Sequence, residues 1–174
     1  MNNIKTKNVT IKDFINNIWI PLEVDNGENK PTSISFYRSM SQYLIKYFEN
    51  KKLNEISSED IEFCLKFYRT KYIQKNGKKG LAQKTVRHIY STINTIFKSA
   101  QKRHYITKNP IEFVSPPKLA KKEVKALTES ELKILADALP NVSEENSCMI
   151  KLLLTTGIRR GECIGLKWED IDFN

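Results

Sequence analysis

Between Ala82 and His104 the large apolar residues return at intervals of three and four: Val86, Ile89, Tyr90, Ile93, Ile96, Phe97 and Ala100. That period places them on one stripe of a long α-helix and excludes the alternation of a strand. A helix with one apolar stripe must bury it against other helices or a sheet. Three further segments offer helical partners. Thr10 with Asp13 makes a start like a capping box, with Asp in place of the usual Glu. Ile11, Phe14, Ile15, Ile18 and Trp19 follow, and Pro21 predicts the stop. Asp25 to Ser33 reads as a loop, and a helix from about Ser33 to Glu49 carries Tyr37, Met40, Leu44, Tyr47 and Phe48 on one side. Ser57 and Asp60 cap another, with Ile61, Cys64, Leu65, Tyr68 and Tyr72 inward. The glycines of residues 76–80 predict a loop before the long helix, and Asn109-Pro110 opens a short helix through Val114.

The expected fold is therefore all-α. Residues 1–114 form a bundle of four to five helices. Residues 115–126, with two adjacent prolines and four lysines, form a linker, and residues 127–174 begin a second domain. In that second part Thr128 and Glu131 predict a capping box ahead of Leu132, Leu135 and Leu139, with Pro140 as the stop. A further helix runs from about Glu144 through Met149, Leu152 and Leu153.

Charge is distributed unevenly. The 174 residues carry 29 Lys and Arg against 20 Asp and Glu, a net charge of +9. Between Glu62 and Glu112 no acid occurs, while Lys66, Arg69, Lys71, Lys75, Lys78, Lys79, Lys84, Arg87, Lys98, Lys102, Arg103 and Lys108 all fall there. One segment supplies the whole positive excess, the footprint of a polyanionic partner rather than of a merely solvated surface. Cys64, Cys148 and Cys163 are odd in number and form no C-x-x-C pair, which argues against a disulfide framework and a thiolate zinc site. No apolar run is long enough to span a bilayer and the start lacks a secretory signal, so the expectation is a cytoplasmic chain with no membrane partner.

The last segment reads Thr155-Thr-Gly-Ile-Arg-Arg-Gly-Glu-Cys-Ile-Gly-Leu-Lys-Trp-Glu-Asp-Ile-Asp172. It resembles the first-arginine motif of tyrosine recombinases of the phage-integrase family, T-G-x-R-x-[GS]-E-x-x-x-L-x-W-x-D-I-D. Thr156, Gly157, Arg159, Gly161, Glu162, Leu166, Trp168, Asp170, Ile171 and Asp172 all match. Cys163 stands where Leu is usual, a tolerable exchange at a position expected to be buried. Leu127-Thr-Glu-Ser-Glu131 resembles the opening of the family's catalytic domain. Thr85-Val-Arg-His-Ile-Tyr90, Ile96-Phe-Lys-Ser-Ala100 and Asn109-Pro110 resemble the end of its SAM-like core-binding domain.

The resemblance implies a DNA-binding portion of a site-specific recombinase from a phage or mobile element, breaking and rejoining DNA through a phosphotyrosyl intermediate without metal or nucleotide cofactor. Arg159 would bind the scissile phosphate, since a guanidinium offers a rigid donor fork and keeps its charge. Glu162 would support it; the plainer reading is that the two only pair with each other. The family's later catalytic residues, ending in the nucleophilic tyrosine, have no counterpart after Arg159. The chain by itself is accordingly expected to bind DNA without cleaving it; the small arm-binding domain that many members of the family carry has no counterpart ahead of Thr10, being either lacking in this member or removed from it. A complete enzyme would act as a tetramer on DNA and this chain as a monomer. Two other readings stay open: a truncated integrase acting as a DNA-binding regulator, and a basic helical module that meets an acidic protein.

Opposite the apolar stripe of the long helix lie Lys84, Arg87, Ser91, Thr95, Lys98 and Lys102, with His88 at the margin. Short hydroxyls flanked by long cations let a helix approach a groove of double-stranded DNA while the cations reach phosphates. On the second helix Ser35, Arg38, Ser39, Gln42 and Lys46 hold the matching side, and the resemblance makes these two helices the groove contacts.

Overall fold

The computed structural model describes residues 8–120 and 125–172, and among these the secondary structure is helical with only two isolated β-bridges. The chain divides into two compact units, Met1–Lys121 and Lys122–Asn174. Four residues of the expected linker, 121–124, lie outside the described residues.

In the first unit, α1 (Ile11–Phe14) starts where Thr10 Oγ1 accepts a hydrogen bond from the Asp13 N–H. Pro21 does not stop it. The chain continues as a π-helix, Ile15–Val24, with Pro21 inside. In wider turns with i→i+5 bonds, the proline ring is relieved of the carbonyl four residues back that it would strike in an α-helix. The buried residues of this run, Ile15, Trp19 and Val24, are spaced by four and five, which suits the wider turn. Asn29 closes it by donating from Nδ2 to the carbonyls of Glu23 (2.9 Å) and Val24 (3.0 Å).

Helix α2 (Pro31–Phe48) begins two residues earlier than its sequence suggests, because Pro31 has the backbone angle that a first helical position wants. The expected capping box of α3 (Ser58–Thr70) is present, formed by Ser57 and Asp60. Helix α4 (Gln83–Lys102) stops where His104 turns to a φ of +60°. Its predicted stripe is buried throughout except Tyr90, which is half-buried. It is the hub of the unit, packing against α2, α3, the π-helix and the turn Pro110–Phe113. Between α2 and α3 sits a ring cluster of Tyr43, Tyr47, Phe67, Tyr68 and Tyr72. Within it, the Tyr68 hydroxyl donates to the carbonyl of Tyr43 at 2.6 Å.

The second unit comprises α5 (Glu129–Ala138), α6 (Glu144–Thr156) and α7 (Arg160–Gly165). The capping box of Thr128 and Glu131 is formed as expected. Among the described residues of this unit Leu139 is the one buried hydrophobic, while Ile134, Leu154, Ile164, Leu166, Trp168 and Ile171 are exposed. Three short helices have too little facing surface to close a core of their own. For the same reason Cys163, expected at a buried position, is only half-buried.

Candidate nucleic-acid interface

Helix α4 presents Lys84, Ser91, Lys98 and Lys102 to solvent, while Arg87, His88 and Thr95 are half-buried. The lysines have no acid partner among the described residues, so each is a free cation. Arg87 is differently placed. Its Nη1 donates to the carbonyl of Pro117 at 2.9 Å, and its guanidinium lies 5.8 Å from the centre of the Tyr90 ring. Tyr90 Oη donates to the carbonyl of Val114, and Gln83 Oε1 accepts from the N–H of Ala120. Residues 114–120 are thereby strapped along the first half of α4, and Arg87 serves as a clasp. Thr95 donates its hydroxyl to the Ser91 carbonyl, which leaves its oxygen able only to accept.

His88 packs edge-on against Phe36 of α2, with ring centres 5.1 Å apart, and so bridges the two candidate helices. On α2, Ser35, Arg38, Ser39, Gln42 and Lys46 are all exposed. Arg38 is paired with Asp25 from the end of the π-helix. Ser39, Gln42, Tyr43 and Lys46 form one wall of a groove whose other wall is Tyr72 and Lys75. A second concavity joins the far half of α4, with Asn94, Thr95, Lys98, Ser99, Lys102 and Arg103, to Leu22, Glu23 and Asn26. There Glu23 Oε1 accepts from Ser99 Oγ and from Arg103 Nε (3.0 Å). Asn94 carries no signal in the sequence, and Lys75 and Arg103 stand out there only as members of the basic run. The acid-free segment contains all three, but only the fold sets them beside the two faces.

Arg159 sits just before α7, as its N-cap rather than on its surface. Gly157, at a φ of +68°, ends α6 in the left-handed conformation and turns the chain toward it. Glu162 Oε2 accepts from the backbone N–H of Arg159 at 2.8 Å, and Oε1 accepts from its Nη1 at 3.0 Å. These backbone and side-chain bonds hold the Glu162 carboxyl below its ordinary pKa. The Arg159 side chain is 87% exposed. Its remaining guanidinium N–H groups are free to meet an anion. Among the described residues no group of His, Cys, Asp and Glu could hold a metal ion, and no helix is long and apolar enough to cross a membrane.

Two family models match: the phage integrase SAM-like domain over residues 11–122 and the phage integrase family over residues 125–174. The XerC-like tyrosine recombinase of Caldanaerobacter subterraneus subsp. tengcongensis is 28% identical, over 98% of this chain and 43% of that protein. The ICEBs1 integrase of Bacillus subtilis is 23% identical, over 97% of this chain and 43% of its own. The fold is similar to that of lambda integrase in its crystal structure as a dimer bound to a COC′ core site. The TM-score is 0.78 at 20% identity, covering 96% of this chain and 44% of that one. A lambda integrase tetramer bound to a Holliday junction gives 0.75 at 22% identity, over 95% and 46%. The chain thus spans less than half the length of these relatives.

Proposed function

The chain belongs to the phage integrase family of tyrosine recombinases, and on that premise we propose that it is the DNA-gripping portion of such an enzyme. One observation carries the reading: α2 and α4 expose adjacent polar and cationic faces, locked together by the contact of His88 with Phe36. Double-stranded DNA is the partner. Ser35, Ser39, Gln42, Ser91 and Thr95 approach the groove, and Lys46, Lys84, Lys98 and Lys102 meet phosphates. Arg38 joins them by exchanging Asp25 for a phosphate, and Arg87 holds the 114–120 strap that leads out of the unit. In this reading residues 1–114 are the core-binding domain, 115–126 the linker and 127–174 the start of the catalytic domain.

In the complete enzyme Arg159 binds the scissile phosphate. Glu162 occupies one of its donors and fixes the fork, while the remaining donors face the non-bridging oxygens and stabilise charge as it develops. The reaction is proposed as strand cleavage and rejoining through a phosphotyrosyl intermediate, in a tetramer on DNA. The tetramer of lambda integrase on a Holliday junction supports that assembly. The likeness to the ICEBs1 integrase fits a phage or mobile element as the source, and the cytoplasm is the place of action in this reading.

The test is binding of a labelled duplex by the chain and by its Lys84→Glu, Lys98→Glu, Lys102→Glu variant. Arg87 is left in place because it holds the strap. Three phosphate contacts become repulsions, so binding should nearly vanish, and the slope of log affinity against log salt should fall by about 2.7, or roughly 0.9 per contact. The helical circular dichroism should be unchanged. Equal affinity of parent and variant at the same salt refutes the reading, and tighter binding to polyglutamate than to DNA would favour the protein-interaction alternative.

A further inference from the structure

We propose that the turn of residues 71–80, between α3 and α4, is a third DNA-contacting element: a rigid lysine finger that grips the phosphate backbone beside the α2 face. The inference rests on the DNA-binding reading above and extends it to residues outside both helices. Four of the ten residues are lysines, and Lys71, Lys75, Lys78 and Lys79 are all exposed, without an ion-pair partner among the described residues. A short solubilising loop could look the same in sequence. In the structure it is not loose.

Ile73 and Lys79 form an antiparallel bridge, and the N–H of Gln74 donates to the carbonyl of Lys78 at 2.9 Å. The N–H of Gly77 donates to the carbonyl of Gln74, and the Lys78 N–H donates to Asn76 Oδ1. At the base, the N–H groups of Gly80 and Leu81 donate to the carbonyls of Tyr72 (2.7 Å) and Tyr68 (2.8 Å), while Gln74 Nε2 donates to the Gly80 carbonyl. Tyr68 is fully buried in the aromatic cluster, so the turn is anchored in the core of the unit. A preformed element loses little backbone freedom on binding, which is where mobile loops lose affinity.

Its position selects the ligand. Lys75 and Tyr72 make one wall of the groove whose other wall is Ser39, Gln42 and Lys46 of α2. A duplex seated on that wall brings its backbone to Lys75 at the tip, with Lys78 and Lys79 following on the returning limb of the same turn. Lysine ammoniums are compact, hydrated charges that meet phosphates without demanding a direction, and they do not read bases with the geometric precision of a guanidinium fork. The finger therefore adds affinity and leaves sequence preference to the helices.

The experiment compares the parent chain with the Lys75→Gln, Lys78→Gln, Lys79→Gln variant on a labelled mixed-sequence duplex of about 30 base pairs across a salt series. A variant with Lys12, Lys133 and Lys151, exposed lysines outside the basic segment, changed to Gln matches its net charge. The finger variant should show a salt slope smaller by up to about 2.7 and an affinity near 0.15 M salt lower by roughly a hundredfold. The matched control should stay within a few-fold of the parent. Acylation of the lysines by an N-hydroxysuccinimide ester, read by mass spectrometry, should slow at residues 75, 78 and 79 when DNA is bound. Equal slopes for parent and finger variant, or equal acylation with and without DNA, overturns the finger while leaving the two-helix reading standing. A parent that does not bind the duplex at low salt overturns the DNA-binding reading itself.

Discussion

Gly80→Ala should destabilise the first unit by about 3–4 kcal/mol, and most of that cost is steric. Gly80 has a φ of +73°, and a Cβ built on it would lie 2.2 Å from the carbonyl oxygen of Arg69 and 3.1 Å from its carbonyl carbon. The obstacle is backbone of α3, which cannot swing aside as a side chain would. An L-residue held in the left-handed region costs roughly 1–2 kcal/mol. Relieving the contact moves Gly80 away from Arg69 and stretches three hydrogen bonds. These are its N–H to the Tyr72 carbonyl (2.7 Å), the neighbouring Leu81 N–H to the Tyr68 carbonyl (2.8 Å), and Gln74 Nε2 to its own carbonyl. Each such bond contributes about 0.5–1.5 kcal/mol net, so weakening all three adds about 2 kcal/mol. Gly77→Ala is the internal control. Gly77 has nearly the same φ, +79°, but a Cβ there meets nothing within 4 Å, so only the conformational cost of about 1–2 kcal/mol remains. The two variants should therefore differ by about 2 kcal/mol, or roughly 10 °C in Tm for a unit of this size. Thermal melts followed at 222 nm, with urea midpoints as a second measure, read the difference. If the two melt within about 2 °C of one another, the packing of the turn against α3 is not what makes glycine necessary at residue 80.

Three other outcomes follow from single contacts. Tyr68→Phe removes the hydroxyl that donates to the half-buried Tyr43 carbonyl and should cost about 1–2 kcal/mol in urea denaturation without changing DNA affinity. Asp60 is partly desolvated, which alone would raise its pKa, but the Lys51 ammonium and the N–H and hydroxyl of Ser57 outweigh burial and hold it below its ordinary 3.8. A carboxyl lowered by folding contributes stability that is present above its unfolded value and is lost as the pH falls through the folded one. Unfolding midpoints of the parent should therefore drop more steeply below about pH 4 than those of Asp60→Asn; parallel curves would refute the assignment. Arg159→Ala breaks an ion pair at the surface of the second unit, so it should leave the melting temperature within about 2 °C and reduce the salt slope of DNA binding by about one unit or less. A loss of affinity by orders of magnitude would show that Arg159 acts in the fold instead.

Much of this protein is legible in its sequence because the signals are local. The stripe from Val86 to Ala100 and the capping residues Thr10, Ser57 and Thr128 act over three or four positions along one helix, and the structure places them as the spacing predicts. The motif around Arg159 is equally local: Glu162 reaches its partner from three residues away. Proline at residue 21 misled for a related reason. Its effect depends on the kind of turn around it, and the packing of Ile15, Trp19 and Val24 chose a wide one. What the sequence could not disclose are pairings between residues far apart along the chain. Glu23 meets Ser99 and Arg103 from 76 and 80 positions away, Asp25 meets Arg38 from 13, and Arg87 is drawn from the open face by Pro117, 30 positions on. Nor could charge counting separate the free cations Lys84, Lys98 and Lys102 from the committed Arg87. Periodicity assigns a residue to a side of its own helix. Which cations on that side remain free is decided when loops and neighbouring helices close over it, and that is a property of the folded chain alone.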